Sequence, residues 1–125
     1  MPARYFTLEE ANALLPELEP VMAELLARRA KVVRQRHKIA PILDDPHGDM
    51  GGAAATEMAL DFVRITELVE QVQAFGCLLK DLNTGLLDFL SERDGREVYL
   101  CWRYGEPRIE YYHELHTGFT GRQRY

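Results

Sequence analysis

Two histidines, a glutamate, two glycines and two arginines fall within YYHELHTGFTGRQRY, Tyr111 to Tyr125. The spacing His113-Glu114-Leu115-His116 can offer His113, Glu114 and His116 to a divalent metal from a turn or a helix. The carboxylates Asp81, Asp88 or Glu97 could complete such a shell, since imidazole and carboxylate donors together suit zinc and its neighbours. The plainer alternative has His113 donating to a backbone carbonyl at the edge of the core while His116 is solvated. In TGFTGRQR, Thr117 to Arg124, two glycines let backbone amides approach a ligand, and Arg122 can pair with a carboxylate or phosphate. No GK[ST] follows and no helix begins there, so it is not a P-loop. The structural alternative is a glycine-rich tail crossing a sheet, with Phe119 in the core and Arg122 tied to an acid such as Asp88.

Other clusters carry weaker chemistry. Asp44, Asp45, His47 and Asp49 resemble a metal loop, but the residue order and terminal glutamate of an EF-hand are missing. The run Arg28, Arg29, Lys31, Arg34, Arg36, His37 and Lys38 could contact phosphates. It lies in the last turns of a helix, where cations complement the dipole, and Glu57 and Asp61 stand across from it as natural partners. The net charge of −5 and the lack of interleaved aromatics argue against nucleic acid. No GxSxG or HExxH occurs, so serine-nucleophile and zincin chemistry have no support. The two cysteines, Cys77 and Cys101, belong to no CxxC pair and are expected reduced and buried.

The elements that must position these residues follow from periodicity. In residues 4–39, Thr7 and Glu10 form a capping box. Pro16 and Pro20 then predict a kinked first helix: a short helix to about Leu15, and a long one reaching Lys38. Leu18, Met22, Leu25, Val32 and Val33 make its apolar stripe. Residues 40–53 read as a loop rich in proline, aspartate and glycine. Residues 54–77 form a second helix, whose Met58, Phe62, Ile65, Val69 and Val72 give a heptad-like seam. The two helices are therefore expected to make a long antiparallel hairpin.

Residues 78–125 change to a period of two. LLKDLNTGLLDF and GREVYLCWRYGEPRIEYYHE read as strands, with turns at Asn83–Gly85 and at YGEP. The fold class is α+β, with an antiparallel β-meander of three to four strands covering one face of the hairpin. With Gly105 and Glu106 as a two-residue loop, Val98, Leu100, Trp102, Ile109, Tyr111 and His113 share the core face. Glu97, Tyr99, Cys101, Arg103, Arg108, Glu110 and Tyr112 then take the other.

At 125 residues, 46% hydrophobic and 28% charged, the chain fits one globular domain. No basic segment followed by an apolar run opens it, and no apolar stretch approaches the roughly 18 residues that span a bilayer. The expected setting is cytoplasmic, with no membrane partner.

The order RYFTLEEANALLPELEP, helical hairpin, KDLNTGLLDF, GREVYLCWRYGEP and HELHTGFTGR resembles the family catalogued as domain of unknown function 2203, from Arg4 to about Arg122. The resemblance implies a small, standalone cytoplasmic protein of bacteria or archaea and no particular activity. It implies family counterparts of Asp81, Gly85, Asp88, Phe89, Glu97, Trp102, His113, Gly118, Phe119 and Arg122. His116 stands where relatives often carry another residue, leaving Asp81, Asp88, Glu97, His113 and Arg122 as the group of interest.

Two functions are compatible with this sequence. In the first, the chain is a helical-hairpin interaction module that self-associates, because the helices are long for so small a sheet. In the second, the carboxylate–histidine–arginine group binds a small anion or a divalent metal, or does chemistry with His113 as ligand or general base. No organic cofactor is expected.

Overall fold

The computed structural model describes residues 4–43 and 52–125, so the loop cluster Asp44, Asp45, His47 and Asp49 lies outside the described residues. Two helices precede a five-stranded sheet: α1 (Leu8–Leu43), α2 (Gly52–Ala74), β1 (Leu78–Asp81), β2 (Leu86–Arg93), β3 (Arg96–Arg103), β4 (Tyr111–Glu114) and β5 (Gln123–Arg124). The strands form an antiparallel meander in the order β1-β2-β3-β4-β5. The α+β class, the hairpin and the meander are as the sequence predicts, with β5 added by the tail.

The capping box forms. Thr7 Oγ1 accepts from the Glu10 amide at 3.0 Å, and Glu10 Oε1 accepts from the Thr7 amide at 2.8 Å. This settles two of the amides that a helix start leaves without partners. The expected break near Leu15 does not end the helix: α1 runs unbroken through 36 residues. Pro16 and Pro20 are both exposed. They stand one turn apart on the solvent side, where water can satisfy the carbonyls they leave free.

Pairing between the helices is antiparallel and partly ionic. Arg64 donates to both oxygens of Glu24 at 2.8 and 2.9 Å, and Arg28 Nη1 donates to Asp61 Oδ1 at 2.8 Å. Lys31 Nζ lies 2.9 Å from Glu57 and 3.0 Å from Asp61 Oδ2, the latter an ion pair rather than an aligned hydrogen bond. Thus the basic run meets Glu57 and Asp61 as predicted. The seam differs from the expected heptad. Asp61, Leu68 and Val72 are buried, whereas Phe62 is exposed, as is Val33 on α1. On α2, Phe62 sits 100° round from Asp61, so the arginine and lysine that hold Asp61 inward turn Phe62 out.

The core lies between the helices and one face of the sheet. Phe6, Ala11, Leu15, Leu18, Met22 and Leu25 meet Leu68, Val72 and Cys77, and all pack on Leu87, Phe89, Val98, Leu100, Trp102, Ile109 and Tyr112. Burying each large side chain contributes about 1.5–3 kcal/mol. The core cluster takes nothing from α1 beyond Leu25 and nothing fully buried from α2 before Leu68. The rest of both helices continues as a two-helix arm. No helix among the described residues is long and apolar enough to cross a membrane.

The β3–β4 register corrects the predicted faces. Val98 pairs with Glu114, Leu100 with Tyr112, and Cys101 with Tyr111. The two-residue loop is replaced by a longer connection, residues 104–110, and the odd shift moves every β4 side chain to the opposite face. Tyr112 therefore joins the core, while Tyr111 and His113 stand with Tyr99 and Cys101 on the face turned away from the helices. Glu106 organises that connection. Its amide donates to the Arg103 carbonyl, its carboxylate accepts from the Arg103 amide at 2.7 Å, and its carbonyl accepts from Trp102 Nε1 at 3.0 Å. Ile109 is still buried, held by Asn12, which accepts from its amide at 2.7 Å and donates to its carbonyl at 3.2 Å.

Candidate functional site

Alternation along β2, β3 and β4 brings three chemically capable side chains together on the sheet's outer face. Asp88 stands directly across from Cys101, and His113 sits across from Tyr99, one diagonal from Cys101. His113 reaches over β3, placing Nε2 3.1 Å from both carboxylate oxygens of Asp88. Its Nδ1 lies 2.7 Å from the Glu114 carbonyl oxygen. A carbonyl only accepts, so Nδ1 carries a proton and Nε2 is the nitrogen aimed at Asp88. Since a carboxylate also needs a donor at that distance, a proton lies between Nε2 and Asp88. One donor atom each from Asp88, Cys101 and His113 lies within 4.8 Å of the others, and all three residues are buried.

Cys101 is a neutral thiol here. Burial pushes it up to about 12, and the adjacent Asp88 carboxylate adds to the effect. Cys77, on the helix side, is pushed up to about 11, also by burial. Both are free cysteines, buried as expected. Around the cluster, Arg122 lies over the Tyr111 ring at 3.9 Å and the Phe119 ring at 4.6 Å, and the Tyr99 ring is 5.6 Å from His113.

The other named residues go elsewhere. Arg122 does not meet Asp88: its Nη2 donates to both oxygens of Glu106 at 3.0 and 2.8 Å, and its Nε is buried without a partner. That pair ties the tail to the 104–110 connection. Phe119, expected in the core, is partly exposed on the outer face. Asp81 caps its own turn, accepting from the Asn83 amide at 2.8 Å and from Thr84 Oγ1 at 3.1 Å. Glu97 accepts from the Tyr5 hydroxyl at 2.9 Å. The Glu114 carboxylate pairs with Arg96 at 3.2 Å, and His116 is exposed in the turn after β4. Of Asp81, Asp88, Glu97, His113 and Arg122, only Asp88 and His113 meet, and they close on one another.

Sequence reasoning passed over Cys101 and Glu106. The alternation in REVYLCWR places Cys101 beside Tyr99, opposite the core, which was the available signal for the thiol. Nothing local marks Glu106, because its role depends on Arg122 arriving from the tail.

A second surface lies on the arm. Leu60, Phe62 and Val63 of α2 are 64%, 51% and 58% exposed. Asp61 and Leu68 define the side against α1, so Val63 points directly away from it, with Leu60 and Phe62 on its flanks. Ala59 and Thr66, also exposed, extend this face. It carries no charge between Glu57 and Glu67 apart from the inward Asp61 and from Arg64, which Glu24 holds.

The chain matches no curated protein and no solved structure. A family model, described as an uncharacterized conserved protein, does match over residues 4–125. The helical hairpin, the meander and the tail that returns to it all fall within that match, and the chain belongs to the DUF2203 family.

Proposed function

We propose that the chain is an interaction module that associates with a second copy of itself through the outer face of its helical arm. The exposure of Leu60, Phe62 and Val63 together on one helix carries this reading. Monomers rarely leave neighbouring large apolar side chains in water, and Leu60 with Val63 one turn on, flanked by Phe62, can pair with its own copy about a two-fold axis. A four-helix arrangement of two arms would give each hairpin the third layer that the sheet supplies only nearer the core. The three side chains are about half exposed, so covering them on both copies is the apolar gain that pairing offers. The expected dimer is weak and concentration-dependent. The buried free thiols Cys77 and Cys101 support a reducing, cytoplasmic setting.

Sedimentation equilibrium across the micromolar range tests this. The wild-type mass should rise from monomer to dimer with concentration, and Val63→Glu should hold it at monomer with an unchanged far-ultraviolet circular dichroism spectrum. A wild-type chain that stays monomeric at the highest concentration refutes the proposal, as does a Val63→Glu chain that still dimerises.

A further inference from the structure

The arm leaves unexplained why an acid, a thiol and an imidazole converge on the far face of the sheet. We propose that Asp88, Cys101 and His113 form a binding site for one divalent transition-metal ion of borderline softness, of which zinc is the type. A carboxylate oxygen, a thiolate sulfur and an imidazole nitrogen are the donors that such ions take together, and harder ions such as magnesium avoid sulfur.

Three features favour a metal over a mere polar contact. The residues sit on three adjacent strands rather than on loops, so the backbone fixes their spacing. The Nδ1–H of His113 donates to the Glu114 carbonyl at 2.7 Å, which leaves Nε2, beside Asp88, as the nitrogen that would coordinate once its shared proton is displaced. Metal-binding histidines are commonly oriented in this way. The span also fits: bonds of about 2.0–2.3 Å in a tetrahedron set donor atoms roughly 3.5 Å apart. The Nε2 and Asp88 oxygens are already at 3.1 Å, and the sulfur lies within 4.8 Å of them. The Cys101 sulfur lies beside the same pair, so a third ligand atom is already within reach. On binding, the ion replaces the proton between Nε2 and Asp88 and the thiol proton, and both protons leave to solvent. No fourth histidine, cysteine, aspartate or glutamate joins them among the described residues, so the fourth position falls to water or an exchangeable ligand.

Cobalt(II) reports this directly, because a cobalt–thiolate bond gives a charge-transfer band that nitrogen and oxygen ligands do not. The full chain, stripped with chelator and kept reduced, is titrated with cobalt(II) alone and then with zinc(II). One equivalent of cobalt should produce the charge-transfer band with visible bands of tetrahedral intensity, and zinc should abolish both. Cys77 is the only other thiol, so Cys77→Ala should keep the band and Cys101→Ser should lose it. His113→Gln should weaken binding at least tenfold. Should Cys101→Ser fail to fold, Cys77→Ala decides alone, since any thiolate band it shows arises at Cys101. No band at excess cobalt, a band that disappears in Cys77→Ala, or binding without the band, as exposed histidines would give, overturns the proposal.

Discussion

Replacing His113 by leucine in the chelated, metal-free chain should be far more harmful alone than together with Asp88→Leu. Both residues are buried, at 2% and 3% exposure, and they face one another at 3.1 Å. His113→Leu keeps the volume but strands a carboxylate out of reach of water, and breaking a buried pair from one side costs about 3–5 kcal/mol. Asp88→Leu leaves Nε2 of a neutral imidazole without a partner, at about 1–3 kcal/mol. Without coupling, the double variant would lose the sum, roughly 4–8 kcal/mol. In the structure its loss is smaller, because no charge is left buried and the Glu114 carbonyl, losing His113, still accepts from the Thr117 amide and hydroxyl at 3.2 Å, so about 1 kcal/mol is lost. A coupling of about 3 kcal/mol or more is therefore expected. Urea unfolding followed by the fluorescence of Trp102, the single tryptophan and fully buried, gives these values. With a urea slope of about 2 kcal/mol per molar, His113→Leu should lower the midpoint by roughly 2 M, and the double variant should recover much of it. Additive losses, or a His113→Leu cost below about 1 kcal/mol, would refute the reasoning, since the carboxylate would then have another donor or water.

Two pH windows follow from named groups. Burial raises Cys77 and Cys101 from 9.0 to about 11 and about 12, so the unfolded chain gives up these protons first: stability should fall as pH rises from about 9 towards 12, and native thiols at pH 8 should react with a disulfide reagent only as fast as the chain opens. Glu24, held to about 2 by hydrogen bonds from Arg64 and Arg28, contributes in full above 4.5 and loses its contribution as pH falls from there towards 2; Glu24→Gln should flatten that part of a thermal-unfolding profile, and an unchanged slope would contradict it.

Much of the fold was readable because local signals agreed with the global ones. The Thr7–Glu10 box, the turn at Asn83–Gly85 and the alternation of Val98, Leu100 and Trp102 each behave as their spacing predicts. Gly85 shows why such a turn is specific: its φ is +72°, and a Cβ there would meet the Tyr104 Cβ at 2.8 Å. The outer face was not readable, because it depends on one number that the sequence does not print, the length of the β3–β4 connection. YGEP looks like a tight turn, but Glu106 folds back on Arg103 and Trp102, and is itself held by Arg122 from the tail. A contact between residues 16 apart in sequence thus helps to hold the connection whose length sets the face of His113. His113 and Asp88 were both named from residue type, but their meeting required that register. The prolines misled for a different reason: their effect depends on whether the freed carbonyls face water, which only the packing of α1 determines.

The two proposed sites stand on opposite sides of the sheet, and this makes them separable. The helices cover the face built from Leu87, Phe89, Leu100 and Trp102, whereas Asp88, Cys101 and His113 occupy the reverse. Helix α1 serves both the sheet, up to Leu25, and the arm beyond it. In the arm, Asp61 takes the place of an apolar seam residue and is buried between Arg28 and Lys31. Sliding either helix by a turn would set Asp61 against Glu24 or Arg64 against Arg28, so the ion pairs favour the observed register. The arm therefore has a fixed register, and the apolar face it presents is set by the same ion pairs that fix it. Charge substitutions at Val63 should then leave the sheet and its cluster undisturbed. Changes at Asp61 should act on the face from beneath, by freeing α2 to rotate Phe62 or Leu60 inward.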